Sequence, residues 1–159
     1  MHPHDKETSK TKSEARSNIN LWLLSICFTL FTFIVAVNPK LLQENPFLSL
    51  QLTLAIPLLM TSIFARTKLA HTHRIRLWEE YGFITFIIAY GFLLNVVGIL
   101  LAMLVNTQIG IIFFVANIFS ALVYSGVEVI EQRSKLMSRI YKDLFFIFIL
   151  FFLGILPIL

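Results

Sequence analysis

The stretch YGFITFIIAYGFLLNVVGILLAMLV, Tyr81–Val105, decides the fold because it is predominantly apolar and contains no Lys, Arg, Asp or Glu. An α-helix needs roughly 20 predominantly apolar residues to cross about 30 Å of hydrocarbon. Tyr81–Val105 meets that length and predicts a membrane-spanning helix. Four further runs also lack charged residues: Ile19–Val37, Phe47–Ala65, Ile109–Val127 and Leu144–Leu159. The sequence therefore predicts an all-α polytopic bundle of about five transmembrane spans, although the last run is slightly short.

The composition leaves little protein outside the bilayer. Of the 159 residues, 57% are hydrophobic and only 14% are charged, whereas soluble domains carry about 25% charge. Residues 1–18 are polar and are expected to form a disordered cytoplasmic tail, or at most a frayed extension of the first helix. Residues 19–159 form the expected transmembrane domain. No room remains for a soluble catalytic domain of at least about 50 residues.

Basic residues predict the orientation because short loops rich in Lys and Arg stay in the cytoplasm. They occur in the N-terminal tail and in the gaps that follow the second and fourth runs. We therefore expect a multi-pass protein of the plasma (cell inner) membrane with a cytoplasmic N-terminus. The net charge of +4 indicates lipid rather than nucleic acid as the partner. Four basic side chains are expected to face lipid headgroups: Arg66, Lys68, Arg74 and Arg76.

Small and polar residues recur at i, i+4, i+7 and i+11, a spacing that places them on one helix face. Lipid gives helices no hydrophobic reason to associate, so interfaces inside membranes use small residues and occasional hydrogen bonds. Three such faces are expected to point inward, whereas the Phe-rich fifth span is expected to face mostly lipid. They are the first-span stripe (Ser25, Thr29, Thr32, Ala36), the third-span stripe (Gly91, Asn95, Gly98, Ala102) and the fourth-span stripe (Asn117, Ala121, Tyr124, Glu128).

These stripes have two interpretations. As helix-packing seams, they need only small side chains; the packing candidates are Ser25, Thr29, Thr32, Gly91, Gly98, Ala102 and Ala121. As the lining of a wet cavity or pore, they need polar groups that are costly to bury in lipid. The pore or cavity candidates are Asn95, Asn117, Tyr124, Glu128 and Glu131. The two carboxylates have a plainer alternative, which is to reach the headgroup layer and pair with basic residues there.

No pattern indicates catalysis. His71 and His73 form a weak metal pattern that lacks further ligands, and a basic loop touching headgroups explains it better. Ser25 and Ser120 have no His or Asp partner at membrane depth, so a serine-hydrolase triad is not expected. We therefore expect no catalytic residues, no metal and no cofactor, and a protein that is not an enzyme.

Two functions remain open. The leading prediction is an oligomeric cation channel or transporter-like protein, because five short helices enclose little volume alone. The alternative is a non-transporting interaction or accessory protein, such as an assembly partner or an immunity-type protein. It would dock on another membrane protein through its intramembrane helix faces. The expected partners are membrane lipids together with further copies of the chain or another membrane protein.

Overall fold

The computed structural model describes residues 3–69, 75–131 and 136–159, and within those ranges the chain is helical without strands. The helices are α1 (Pro3–Val37), α2 (Lys40–Glu44), α3 (Pro46–Leu69), α4 (Ile75–Leu104), α5 (Thr107–Glu131) and α6 (Leu136–Leu150). α6 continues as a π-helical turn, Phe151–Ile155, hereafter the π turn, and as a 3-10 turn, Leu156–Ile158. The predicted all-α class is confirmed.

Among the described residues, 5 helices are long and apolar enough to cross a membrane. Their membrane-length segments are Glu14–Val37, Pro46–Leu69, Leu77–Leu104, Thr107–Val127 and Ile140–Ile158. The number of predicted spans is therefore confirmed, and the fifth extends further toward the N-terminus than the run Leu144–Leu159. The side of the membrane on which the N-terminus lies stays a prediction.

The first helix differs from its prediction at its N-terminus. α1 begins at Pro3, so the segment expected to be a disordered tail continues the helix of the first span. The alternative of a helical extension describes the backbone better.

Asparagine and proline residues lie next to the end of α1 and to the beginning of α5. α1 ends at Val37, before Asn38 and Pro39, because proline disfavours helical geometry in the preceding residue. At the short connection before α5, the backbone N–H of Ile109 donates to Asn106 Oδ1 at 2.8 Å. Asn106 therefore caps α5 by satisfying one of the N–H groups that a helix N-terminus leaves without a partner.

The described residues form two compact units, and α3 and α4 contribute to both. Unit 1 comprises the described parts of Met1–Asn45 and Leu52–Tyr90, and unit 2 comprises Pro46–Gln51 with the described parts of Gly91–Leu159. In unit 1, α3 and α4 approach closely at Gly82, where an added Cβ would lie 3.0 Å from the Cβ of Ala65.

Unit 2 has an apolar cluster of Phe114, Leu150 and Ile155. Glycines surround it at close approaches. A Cβ at Gly98 would collide with the ring of Phe114, and one at Gly154 would meet the same ring at 2.6 Å. The backbones of α4 and α6 can therefore reach the Phe114 ring only because these positions lack side chains.

Candidate functional site

The most buried polar group in unit 2 is a set of two side-chain amides, hereafter the amide cluster. It comprises the side chains of Gln51 and Asn95 and the backbone carbonyls of Ile149 and Leu153. Asn95 Nδ2 donates to Gln51 Oε1 at 2.6 Å and to the carbonyl of Ile149 at 3.2 Å. Gln51 Nε2 donates to the carbonyl of Leu153 at 2.8 Å. Segments of α3 and α4 are thus hydrogen-bonded to the last part of α6.

The amide cluster lies inside the protein, because Asn95 is 0% and Gln51 1% exposed. Burying an amide in an apolar medium is costly unless it forms hydrogen bonds, and the cluster supplies them. One acceptor remains: Asn95 Oδ1 has no hydrogen-bond partner among the described residues. That oxygen lies against Gly154, where a Cβ would collide with it. Neither amide titrates, so the cluster can position backbone and accept or donate hydrogen bonds but cannot transfer protons.

Sequence reasoning singled out Asn95 but missed its partners. Gln51 belongs to none of the three predicted stripes. The fifth span was expected to face mostly lipid, and most of it is at least partly exposed, but it buries Ile149, Leu150 and Gly154. The available signal was Pro157, which removes one backbone donor from the fifth helix and so creates a need for another.

The third-span stripe points inward as expected. Gly91, Asn95 and Gly98 are buried, and Ala102 is partly exposed. A Cβ at Gly91 would come within 2.8 Å of Ile149 Cγ2. Side chains of other helices therefore lie close to this face of α4 at Gly91 and Gly98.

The first-span stripe differs from its expected inward orientation. Ser25, Thr29, Thr32 and Ala36 are all exposed. The hydroxyls of Thr29 and Thr32 donate to the carbonyls of Ser25 and Phe28, each at 2.9 Å and four residues back along the same helix. These side chains therefore need no partner from another helix. Ser25, Thr29 and Thr32 line a shallow groove of about 690 Å³ along α1, together with Leu21, Leu24, Phe28 and Phe33.

The fourth-span stripe is also mostly accessible. Tyr124 is 68% exposed, and Ala121 is partly exposed. Asn117 is half-buried, and its Nδ2 donates to the carbonyl of Phe113 in its own helix at 2.8 Å. The side chains of Glu128 and Glu131 lie outside the described residues, so their proposed role stays a prediction.

A carboxylate in the fifth span was missed because the predicted run began one residue after it. Asp143 lies within the membrane-length segment Ile140–Ile158. Its Oδ2 accepts a hydrogen bond from the hydroxyl of Ser125 on α5. Ser125 is buried and Asp143 is half-buried. Ser125 and Asp143 thus form a hydrogen-bonded contact between α5 and α6.

Unit 1 contains a second polar network that sequence reasoning missed. Asn20 Nδ2 donates to the hydroxyl of Ser62 at 2.9 Å, and that hydroxyl donates to the carbonyl of Gly82 at 2.8 Å. Thr85 also donates to the Gly82 carbonyl, at 3.2 Å. The network connects α1, α3 and α4 by hydrogen bonds between groups that are 6% exposed or less.

The four basic residues that were expected to face headgroups have different outcomes. Lys68 is exposed, as expected. Arg66 is only 5% exposed and lies inside unit 1, and its contact with headgroups stays a prediction. It lies beside Gly82, where an added Cβ would be 3.8 Å from Arg66 Nε. Arg74 and the side chain of Arg76 lie outside the described residues.

The last two candidate sites are an exposed ion pair in unit 1 and the weak histidine pattern. Arg16 Nη1 lies 3.5 Å from Glu79 Oε1, and both side chains are more than half exposed. Such exposed ion pairs contribute little to stability. His71 and His73 lie outside the described residues, and within the described ones no group of His, Cys, Asp or Glu could hold a metal ion.

Comparison with models of known protein families found no match, and neither did comparisons with curated proteins and with solved structures. The five apolar helices therefore carry the assignment, and they indicate a small multi-pass membrane protein.

Proposed function

We propose that the protein is a non-transporting, non-enzymatic interaction protein that receives a transmembrane helix of another chain on the first-span stripe. The observation that supports this proposal is the exposure of Ser25, Thr29 and Thr32 along the groove of α1. Their hydroxyls are short, and those of Thr29 and Thr32 are already hydrogen-bonded to α1 itself. A second helix can approach such a face closely without leaving a polar group unsatisfied.

The flanking side chains favour a helix over a lipid chain in this groove. Phe28 and Phe33 are 52% and 48% exposed and stand beside the small residues. Bulky side chains beside a small-residue seam form the ridges that a facing helix needs for interdigitation. The occupant we propose is therefore a transmembrane helix that carries its own small residues, either from a second copy or from a different membrane protein.

A photoreactive phenylalanine analogue tests the proposal at two matched positions. Phe28 lines the groove, and Phe119 is an exposed residue of α5. In membranes of cells that produce the protein, irradiation should give a protein adduct from position 28 and only lipid adducts from position 119. Thr29→Leu should remove the adduct at position 28, because its larger side chain fills the seam. Only lipid adducts from both positions would contradict the proposal.

The mass of the adduct distinguishes the two kinds of partner. An adduct of twice the mass of the chain identifies a second copy and a homo-oligomer. An adduct with a different chain identifies an accessory role. Both results require that Thr29→Leu leaves the protein folded, which its position on an exposed face predicts.

A second candidate is the oligomeric cation channel, which the exposure of Tyr124 on α5 favours. An exposed polar face could line a path between copies, with Glu128 at its inner mouth attracting cations. Asn95 is buried in the observed conformation and would not contribute. Cation flux into liposomes should then fall in Glu128→Gln and fall less in Glu131→Gln. Wild-type flux equal to that of empty liposomes would exclude this candidate.

We also propose the plasma (cell inner) membrane as the location and a cytoplasmic N-terminus, on the distribution of Lys and Arg. A cysteine introduced at Thr107, the exposed first residue of α5, should react with an impermeant thiol reagent in intact cells. A cysteine at Thr72 should react only after permeabilisation. The opposite labelling would reverse the orientation, and labelling of both from one side would change the number of spans.

A further inference from the structure

The turns that follow α6 contain a proline, Pro157, which cannot donate a backbone hydrogen bond. In an α-helix, the N–H of residue 157 would donate to the carbonyl of Leu153. Pro157 has no N–H, and its ring would clash with that carbonyl. The sequence therefore leaves Leu153 with a carbonyl that needs another donor, inside a segment apolar enough to cross a membrane.

The backbone avoids the clash by changing its hydrogen-bond pattern just before the proline. The π turn Phe151–Ile155 replaces the α-helical pattern, and the N–H of Leu156 donates to the carbonyl of Phe151, five residues back. A 3-10 turn, Leu156–Ile158, follows and contains Pro157. The Leu153 carbonyl lies inside this π turn, where it accepts a hydrogen bond from a side chain.

The Gln51 side chain supplies a hydrogen-bond donor to the Leu153 carbonyl. Its Nε2 donates to the Leu153 carbonyl at 2.8 Å, and its Oε1 accepts from Asn95 Nδ2 at 2.6 Å. Both amides are almost fully buried, so neither water nor a headgroup is available as a substitute donor. Asn95 thus orients the Gln51 amide, and the Gln51 amide satisfies the carbonyl.

We infer that Gln51 supplies the hydrogen bond that Pro157 removes, and that the amide cluster thereby fixes the C-terminal end of α6 in its π geometry. This device belongs to unit 2, whereas the groove of α1 belongs to unit 1, and it does not depend on the proposed function. It makes a specific prediction: Gln51 and Pro157 are energetically coupled, because the hydrogen bond from Gln51 to the Leu153 carbonyl is needed only while the proline is present.

Isotope labelling can observe the Leu153 carbonyl directly. Leu153–Gly154 is the only Leu–Gly pair in the chain, so labelling Leu with 13C at the carbonyl and Gly with 15N gives a single correlated resonance. In Gln51→Leu, the carbonyl resonance should move upfield because the carbonyl loses a hydrogen bond. Gln108→Leu, the same change at an exposed glutamine, should leave it in place. An unmoved resonance in folded Gln51→Leu would overturn the inference.

A double-mutant cycle measures the coupling. Gln51→Leu should lower the melting temperature in the wild-type background and lower it less in the Pro157→Ala background, where an N–H is restored. Equal losses in the two backgrounds would overturn the inference. If Gln51→Leu alone fails to fold, the double variant Gln51→Leu/Pro157→Ala should fold, and its failure to do so would overturn the inference equally.

Discussion

The first-span and third-span stripes have the same spacing in the sequence but opposite positions in the structure. Ser25, Thr29, Thr32 and Ala36 are exposed on α1, whereas Gly91, Asn95 and Gly98 are buried on α4. Both sets consist of small or polar residues at i, i+4 and i+7. Their spacing therefore identifies a face of each helix but does not determine whether that face is buried within the chain.

The chemistry of the individual residues explains the difference. The hydroxyls of Thr29 and Thr32 are satisfied by their own helix, so their exposure to lipid costs little. Asn95 instead donates to Gln51 and to Ile149 on other helices. Gly91 and Gly98 allow other side chains to approach the α4 backbone. A stripe is thus buried within the chain when its residues need hydrogen-bond partners on other helices, or when they are small enough to let other side chains pack closely.

Apart from the Gly98→Leu variant described last, the largest effect is expected where a glycine lies close to the backbone of a neighbouring helix. An added Cβ at Gly110 would lie 2.7 Å from the Cβ of Ala102 and 3.0 Å from the carbonyl oxygen of Gly98. Neither atom can rotate away, so Gly110→Ala should lower the free energy of unfolding by about 1–3 kcal/mol. Unfolding in mixed detergent micelles provides the measurement.

Gly126→Ala is the matched control on the same helix. A Cβ there meets nothing within 4 Å, and alanine favours helix over glycine by about 1 kcal/mol. The free energy of unfolding should therefore stay equal or rise slightly. If Gly126→Ala were as destabilising as Gly110→Ala, the glycines would not mark close approaches.

The buried amide should come next in effect. Asn95→Leu removes two hydrogen bonds and leaves Gln51 Oε1 without its donor, which should cost about 1–3 kcal/mol of unfolding free energy. Asn117→Leu is the control, because the Asn117 amide bonds only within α5 in the contacts described above and should cost about 0.5 kcal/mol or less. Equal losses would show that the partner across helices is unimportant.

A smaller effect is expected at the contact between α5 and α6. Ser125→Ala removes the hydroxyl that donates to Asp143 and should lower the free energy of unfolding by about 0.5–1.5 kcal/mol. Ser120→Ala, at an exposed position of the same helix, should leave it unchanged. A larger loss at Ser120 would place that face of α5, and not Ser125, in contact with another helix.

The sequence predicts the helices well because length and hydropathy decide whether a segment can span a bilayer. Every predicted run coincides with a helical segment of the structure, apart from the last residues Val105 and Leu159 of two runs. The burial of the third-span stripe was also predictable, since Gly91 and Gly98 cannot be explained by lipid contact alone. The partner of Asn95 was not, because Gln51 lies more than forty residues away along the chain and nothing local indicates the pairing. Pro157 indicates that the Leu153 carbonyl needs another donor, but only the three-dimensional structure shows that this donor is Gln51.

The most direct test of the difference between the two stripes is to substitute leucine at one position of each. Thr29→Leu and Gly98→Leu each introduce leucine into one stripe, and the free energy of unfolding is measured for both in dilute mixed micelles. Thr29→Leu should remain within about 0.5 kcal/mol of the wild type, because it lies on an exposed face. Gly98→Leu should lose about 3 kcal/mol or fail to fold, because its side chain would occupy the position of the Phe114 ring. Equal losses at the two positions would contradict the account.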